Sequence, residues 1–304
     1  MTAAELSGTI VPLVTPFTAD DGIDHSALQA LIHFLLDEGA DALMPTALTG
    51  EGPLLSESET LEVWDATFAE VGGARPVTVI PAIISFTTSQ AVHLVRRAAD
   101  LGAAAVMVAP IVAELYAGRS RSDVVAFYAA VADASDLPIT LFNYPSLTGI
   151  DFTASFVEEL AEIDSVRYIK ESTGDSKRVT ALYRALGDRI QVICGAPTAA
   201  LESLALGCTA WITGILNVVP GPGKTLMEAV HEHHDLELAR GIYFDQILPV
   251  VDAMETTSNP TGVIKAGLRA RGVRVGVPRA PGQDLRDDEE TALRRTLERI
   301  LGAS

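Results

Sequence analysis

Eight short apolar runs alternate with longer amphipathic segments over roughly the first 220 residues, and no other feature constrains the fold as strongly. The runs are TIVPLVT (9–15), ADALMP (40–45), PVTVIPAI (76–83), AAAVMVAP (103–110), LPITLFN (137–143), VRYIK (166–170), IQVICG (190–195) and TAWITG (209–214). Each has strand length and is followed by a stretch with helical spacing. Helix signals punctuate the series. Asp24 is placed to cap a helix that stops at Gly39, and Ser56 with Glu59 three residues on makes a capping box. Eight such units predict an α/β chain folded as a (β/α)8 TIM barrel. An open doubly wound sheet is the rival, but no glycine-rich fingerprint follows the first run. From about Lys224 onward the patterns are helical only, over 224–254, 261–272 and 287–302. The expected organisation is a barrel over 1–220 and a C-terminal helical region over 221–304 packed on it.

Charge narrows the partners. With 22 basic and 40 acidic residues the formal net charge is -18. Nucleic acid and anionic membrane both require positive potential, so neither is expected. The two cysteines, Cys194 and Cys208, form no CxxC and no ligand-spaced cluster with histidine, so no structural metal or disulfide framework is predicted. The start, MTAAELSGTIVPLV, lacks a basic region followed by a long apolar one, and no apolar run reaches 18 residues. The expectation is a cytoplasmic protein. His231, His233 and His234 lie in a charged helical stretch and read as a solvated face.

In a barrel of this class the chemistry sits at the C-terminal ends of the strands. Lys170 closes the sixth run, sharing strand parity with Tyr168. It is either a solvent-facing lysine just past a strand or a desolvated amine. In the second case it loses affinity for its proton and can attack a ketone. After the second run, in TALTGEG (46–52), Gly50 and neighbouring amides can form an anion-binding turn, and Thr49 offers a hydroxyl. The same stretch equally reads as a plain turn before a capped helix. After the fifth run, Asn143 and Pro145 are turn formers, and Tyr144 shares the parity of Phe142. Tyr144 either leans over the barrel mouth or packs at a subunit contact. No serine-nucleophile elbow and no Walker-type phosphate loop is present.

Taken together, GTIVPLVTPFTADDGIDHSAL, TGEGPLLSESE, LFNYPSLTG, YIKESTGD, ICGAP, WITGILNVVP and SNPTGVIKAGLRARG resemble the dihydrodipicolinate synthase / N-acetylneuraminate lyase family of class I pyruvate-type aldolases. The resemblance spans nearly the whole chain. It implies a barrel with a C-terminal helical region, assembled as a homotetramer built as a dimer of dimers. It makes Lys170, in KESTGD, the Schiff-base lysine. The family's GTTGE or GSTGE carboxylate motif is ALTGE here: Ala47 and Leu48 replace the first two positions, while Thr49, Gly50 and Glu51 remain. Gly195 matches the glycine ending strand seven, and Ile212 a pocket-lining residue of strand eight.

The departures from the family pattern bear on substrate. Phe142 stands where the YNVP tyrosine relays protons, Leu147 where synthases carry an arginine, and Val112 where a tyrosine is lent across a subunit contact. Of the synthase's threonine and two tyrosines, only Thr49 is left. The chain is therefore similar to the branches acting on 2-keto-3-deoxy sugar acids, or to the hydroxyproline-pathway deaminases. The expected activity is a Schiff-base lyase on a small 2-oxo acid, with pyruvate and an aldehyde as partners and no metal or organic cofactor. A dehydratase or deaminase on the same scaffold is the alternative. A weakly active member with a binding role is the rival of another kind.

Overall fold

The structure is a computed structural model that describes residues 5–72, 77–110, 120–257 and 259–302. Val112 and Pro76 of the sequence expectations lie outside them. The described strands are β1 (Gly8–Pro12), β2 (Ala42–Met44), β3 (Thr78–Val79), β4 (Ala82–Ser85), β5 (Val106–Pro110), β6 (Ile139–Asn143), β7 (Val166–Glu171), β8 (Gln191–Cys194) and β9 (Ala210–Ile212). The helices among them are α1 (His25–Asp37), α2 (Glu57–Val71), α3 (Thr88–Asp100), α4 (Arg121–Ala132), the single turn α5 (Pro145–Thr148), α6 (Ala154–Leu160), α7 (Ser176–Leu186) and α8 (Ala200–Ala205). Helices alone follow: α9 (Pro220–His231), α10 (Leu236–Ile242), α11 (Leu248–Glu255), α12 (Pro260–Ala270) and α13 (Asp287–Leu301). This is the (β/α)8 class with a C-terminal helical extension.

Contacts divide the chain into two compact units, 1–7 with 78–212 and 8–77 with 213–304. In the first, β4 to β9 pair in chain order and in parallel. Strands joined through a helix can pair in that sense, whereas tight hairpins cannot make it. With both faces covered, such strands are buried throughout rather than alternating, and every residue of β6 is buried. The third run differs from its expectation of one strand. It is broken at Ile80 and Pro81, because proline has no N–H to offer a ladder. The Pro81 carbonyl still accepts from Met107 N at 3.1 Å.

In the second unit, β1 and β2 pair in parallel through α1. Asp24 caps α1 by accepting from Ala27 N at 3.0 Å, and the predicted capping box at Ser56 and Glu59 is formed. Helix α1 buries Ala27, Leu28, Leu31, Ile32 and Leu35, the stripe its spacing dictates. The continuous helix expected over 224–254 is instead three. Pro220, with its preset φ, opens α9 four residues early. His234 at φ +52 ends the run, and Asp235 caps α10 by accepting from Leu238 N. Residues Tyr243–Ile247 form a π-helical turn before α11.

Asn217, fully buried just after the last strand, secures this unit. Its Nδ2 donates to Pro12 O at 2.8 Å and Gly214 O at 2.9 Å, and its Oδ1 accepts from Val14 N at 3.3 Å. Removing the side chain orphans buried backbone groups, each costing about 1–3 kcal/mol. Asn217→Ala should therefore lower unfolding free energy by about 2–4 kcal/mol, read as a lower midpoint in urea with an unchanged slope. A midpoint equal to the parent's would show that water or backbone replaces the amide.

Candidate active site

Lys170 lies in β7 with Phe142 of β6 and Ile193 of β8 as its register neighbours. It is 8% exposed. Its Nζ sits 4.6 Å from the centroid of the Phe142 ring. Among the described residues no carboxylate pairs with it. Burial pushes its ammonium from 10.5 down to about 8, and the neighbouring Cys194 opposes this weakly. That lowering corresponds to roughly 3 kcal/mol. The Phe142 face attracts the cation by about 0.5–2 kcal/mol, so dehydration wins. Of the two readings left open by the sequence, the burial of Lys170 agrees with the desolvated amine.

The groups around Lys170 fit closely. A Cβ on Gly195 would lie 2.8 Å from Lys170 Cγ and 2.1 Å from Ser172 Oγ, so only glycine lets the lysine stem pass. Ile212 and Cys194 are buried, and burial pushes the Cys194 thiol well up, leaving it inert. Tyr144 leaves the strand path at ψ 75, yet its ring stays 6.0 Å from that of Phe142, and the residue is 39% exposed. Leu147, on α5, is exposed.

Sequence reasoning missed a clamp beside this amine. Glu171 is buried, and its carboxylate accepts from Asn143 Nδ2 at 2.5 Å and Thr173 N at 2.7 Å. Asn143 Oδ1 in turn accepts from Phe152 N at 3.0 Å. Asn143 and Glu171 are register partners, so the clamp fixes β6 against β7 one residue beyond the Phe142–Lys170 pair. A polar residue ending the fifth apolar run and another just after the sixth was the available signal.

In the other unit, the turn after β2 is fixed from several sides. Thr46 and Glu51 take left-handed φ values of 60° and 56°. Trp64 Nε1 donates to Thr46 Oγ1 at 2.8 Å, and Thr15 Oγ1 donates to Gly50 O at 2.7 Å. Gly52 N donates to Ala47 O and Glu51 N to Leu48 O. The N–H groups of Thr49 and Gly50 meet no acceptor among the described residues. Adjacent unspent donors of this kind suit a carboxylate. A Cβ on Gly214 would come 2.9 Å from Thr49 Oγ1 and 2.7 Å from Ile264 Cδ1, so Gly214 is what seats Thr49.

This unit holds a second buried lysine, and the contrast is informative. Lys265 is fully buried, but its Nζ lies 2.6 Å from Glu51 Oε1 and donates to Val277 O at 3.0 Å. Burial lowers its value while Glu51 opposes the change. A paired ammonium is a poor nucleophile; Lys170 has no such partner among the described residues. A cavity of about 670 Å³ opens at the beginnings of β7 and β8, lined by Glu5, Arg167, Tyr183, Asp188 and Gln191 among others. It lies at the strand ends opposite Lys170 and takes in none of the groups above.

Comparison with known proteins gives a consistent picture. Residues 5–300 match the model of the dihydrodipicolinate synthetase family. A 4-hydroxy-tetrahydrodipicolinate synthase of Pelobacter propionicus is 34% identical over 278 residues, covering 90% of this chain and 92% of that protein. A proposed dihydrodipicolinate synthetase from Pseudomonas aeruginosa superposes with a TM-score of 0.92 at 36% identity, over 97% of this chain and 100% of that one. The chloride-inhibited dihydrodipicolinate synthase of Acinetobacter baumannii, complexed with pyruvate, gives 0.90 at 27% identity, over 97% and 99% of the two chains.

The depressed proton affinity of Lys170 has a kinetic signature. The neutral fraction, which alone attacks a carbonyl, is small at pH 6 and grows about tenfold per pH unit until the ammonium is half titrated. The rate of borohydride trapping with a 2-oxo acid should rise with pH and level off above about 8. A rate still climbing steeply at pH 10 would mean that Lys170 behaves as a hydrated lysine.

Proposed function

This chain belongs to the dihydrodipicolinate synthetase family, and on that premise we propose that it is a Schiff-base lyase acting on a small 2-oxo acid of the 2-keto-3-deoxy sugar acid type. The observation that carries this reading is the buried amine of Lys170, unpaired among the described residues at the C-terminal end of β7.

Lys170 Nζ attacks C2 of the ketone, and the carbinolamine loses water to give a protonated imine. That cation withdraws the electron pair of the C3–C4 bond as it breaks. The C4 hydroxyl gives up its proton and leaves as an aldehyde. The enamine then takes a proton at C3, and water hydrolyses the imine to release pyruvate and the free amine. The unspent amides of Thr49 and Gly50 are assigned the substrate carboxylate, with Ala47 and Leu48 forming the rest of that turn. Phe142, Gly195 and Ile212 supply apolar walls. Leu147 stands where a synthase carries its arginine, which argues against a dicarboxylate substrate.

The C4 hydroxyl needs a proton acceptor, and Phe142 has none. We assign that role to Tyr144, whose ring rests beside Phe142, with the Thr49 hydroxyl as the relay. A second reading follows from the same substitution: without a phenol at position 142, expulsion of a C4 substituent from the enamine competes with C–C cleavage. This would make the chain a dehydratase or deaminase. By family resemblance the working assembly is a homotetramer, a dimer of dimers, and light scattering at several concentrations should give about four chains' mass; a stable monomer would contradict it.

A screen of 2-oxo acids reading pyruvate release identifies the substrate and separates the two readings, since only cleavage yields pyruvate with an aldehyde. Borohydride with pyruvate should add one reduced adduct per chain, on the peptide holding Lys170, and Lys170→Ala should abolish both adduct and turnover. Labelling at Lys177 or Lys265 instead would sink the assignment to Lys170, and no labelling with any 2-oxo acid would favour a binding role. Tyr144→Phe should lose about 10²–10⁴-fold in rate, the usual worth of such a proton transfer, with the Lys170 adduct still trappable. An unchanged rate removes Tyr144 from the mechanism.

A further inference from the structure

Glu51 ends the carboxylate turn in a conformation that a non-glycine residue adopts only when held there. Its φ is +56°, a left-handed value that costs free energy for any side chain with a Cβ. What holds it is a buried ionic cluster from the C-terminal region. Lys265 Nζ of α12 lies 2.6 Å from Glu51 Oε1, and the backbone N–H of Arg279 donates to Glu51 Oε2 at 2.7 Å. Glu51 is 6% exposed, Lys265 0% and Arg279 9%. Both cations flank one ring: Lys265 Nζ is 4.4 Å and Arg279 Cζ 4.2 Å from the Phe17 centroid.

Arg279 is itself held against the same segment. Its guanidinium donates to Leu54 O at 3.1 Å, to Asp21 O at 2.6 Å and to Glu59 Oε1 at 2.6 Å. The cluster therefore grips the turn and the start of α2 together. The peptide groups just before Glu51 carry the two unspent donors, Thr49 N–H and Gly50 N–H. If residue 51 relaxed to negative φ, the Gly50–Glu51 peptide would rotate, breaking the bonds from Glu51 N–H to Leu48 O and from Thr15 Oγ1 to Gly50 O that hold the turn carrying those donors.

We propose that Glu51, tied by Lys265 and Arg279, is a positioning residue that sets affinity for the 2-oxo acid carboxylate by fixing the left-handed turn, while leaving the amine chemistry of Lys170 untouched. This rests on the function proposed above. It gives the C-terminal helices a part in ligand binding through the backbone, with no side chain of theirs touching the ligand.

The test separates the tie from the conformation it imposes. Glycine adopts positive φ freely, whereas alanine does not. Two double variants remove the buried pair without leaving a lone charge: Glu51→Gly with Lys265→Met, and Glu51→Ala with Lys265→Met. Each is titrated with pyruvate under borohydride, reading both the half-saturating concentration and the adduct per chain at saturation. The glycine double should stay within about threefold of the parent, and the alanine double should need at least about tenfold more pyruvate, since only alanine resists the native φ. Both should still reach one adduct per chain. Equal half-saturation in the two doubles, whether unchanged or equally weakened, would overturn the proposal. Should the alanine double fail to fold, Lys265→Arg replaces it, keeping the charge but not its position. A raised half-saturation with full labelling then supports the proposal, and an unchanged one overturns it. Failure of the parent to trap pyruvate overturns the function and this inference together; a parent that traps normally isolates the inference.

Discussion

Withholding water from an amine is the constraint around which the site is arranged. An ammonium gives up strong hydration when buried, and the chain buries two of them with opposite solutions. Lys265 has the Glu51 carboxylate 2.6 Å away to oppose the effect of burial, which still lowers its proton affinity. Lys170 has an aromatic face, a glycine-lined stem and no carboxylate among the described residues, so the proton is what gives way. The cost is borne by the fold. Between about 8, the folded value, and 10.5, the ordinary one, the unfolded chain binds more protons than the folded chain, so stability rises with pH across that window. Below it the folded chain carries the full burden of a charged, dehydrated amine.

Much of the fold was legible because it depends on local patterns. Strand-length apolar runs and capped amphipathic segments recur with a period that a βα series satisfies, and Asp24 and Ser56 cap their helices where they stand in the sequence. The misses have local causes too. Pro81 interrupts the third strand, and Pro220 extends α9 backward because a proline at a first helical position has no hydrogen bond to lose. The break at His234 was hidden by a polar run that reads equally well as a solvated helix face.

Lys170, Gly195 and the 47–50 turn could be picked out of the sequence as candidates, since strand ends and tight turns announce themselves in one dimension. Partner choice did not. Glu51 meets Lys265 and Arg279, and Asn217 meets Pro12 and Val14, across separations of about 200 residues that carry no spacing signal. Tyr144 illustrates the intermediate case: its contact with Phe142 was readable from parity, although the backbone does not continue as a strand beyond Asn143.

The division of the chain into units has a bearing on how the protein is made. Residues 78–212 are contiguous and complete most of one unit's contacts as soon as they leave the ribosome. Residues 8–77 are synthesised before them, but their unit is finished only with 213–304. Closing so long an intervening loop is entropically expensive unless the intervening segment has already collapsed. The face of β1 that these later residues cover is open until they are made, and exposed strands are prone to aggregate. Lys265 and Arg279, which follow 78–212 in the chain, lock the turn beside Thr49, so a chain cut before them lacks the ionic lock on that turn.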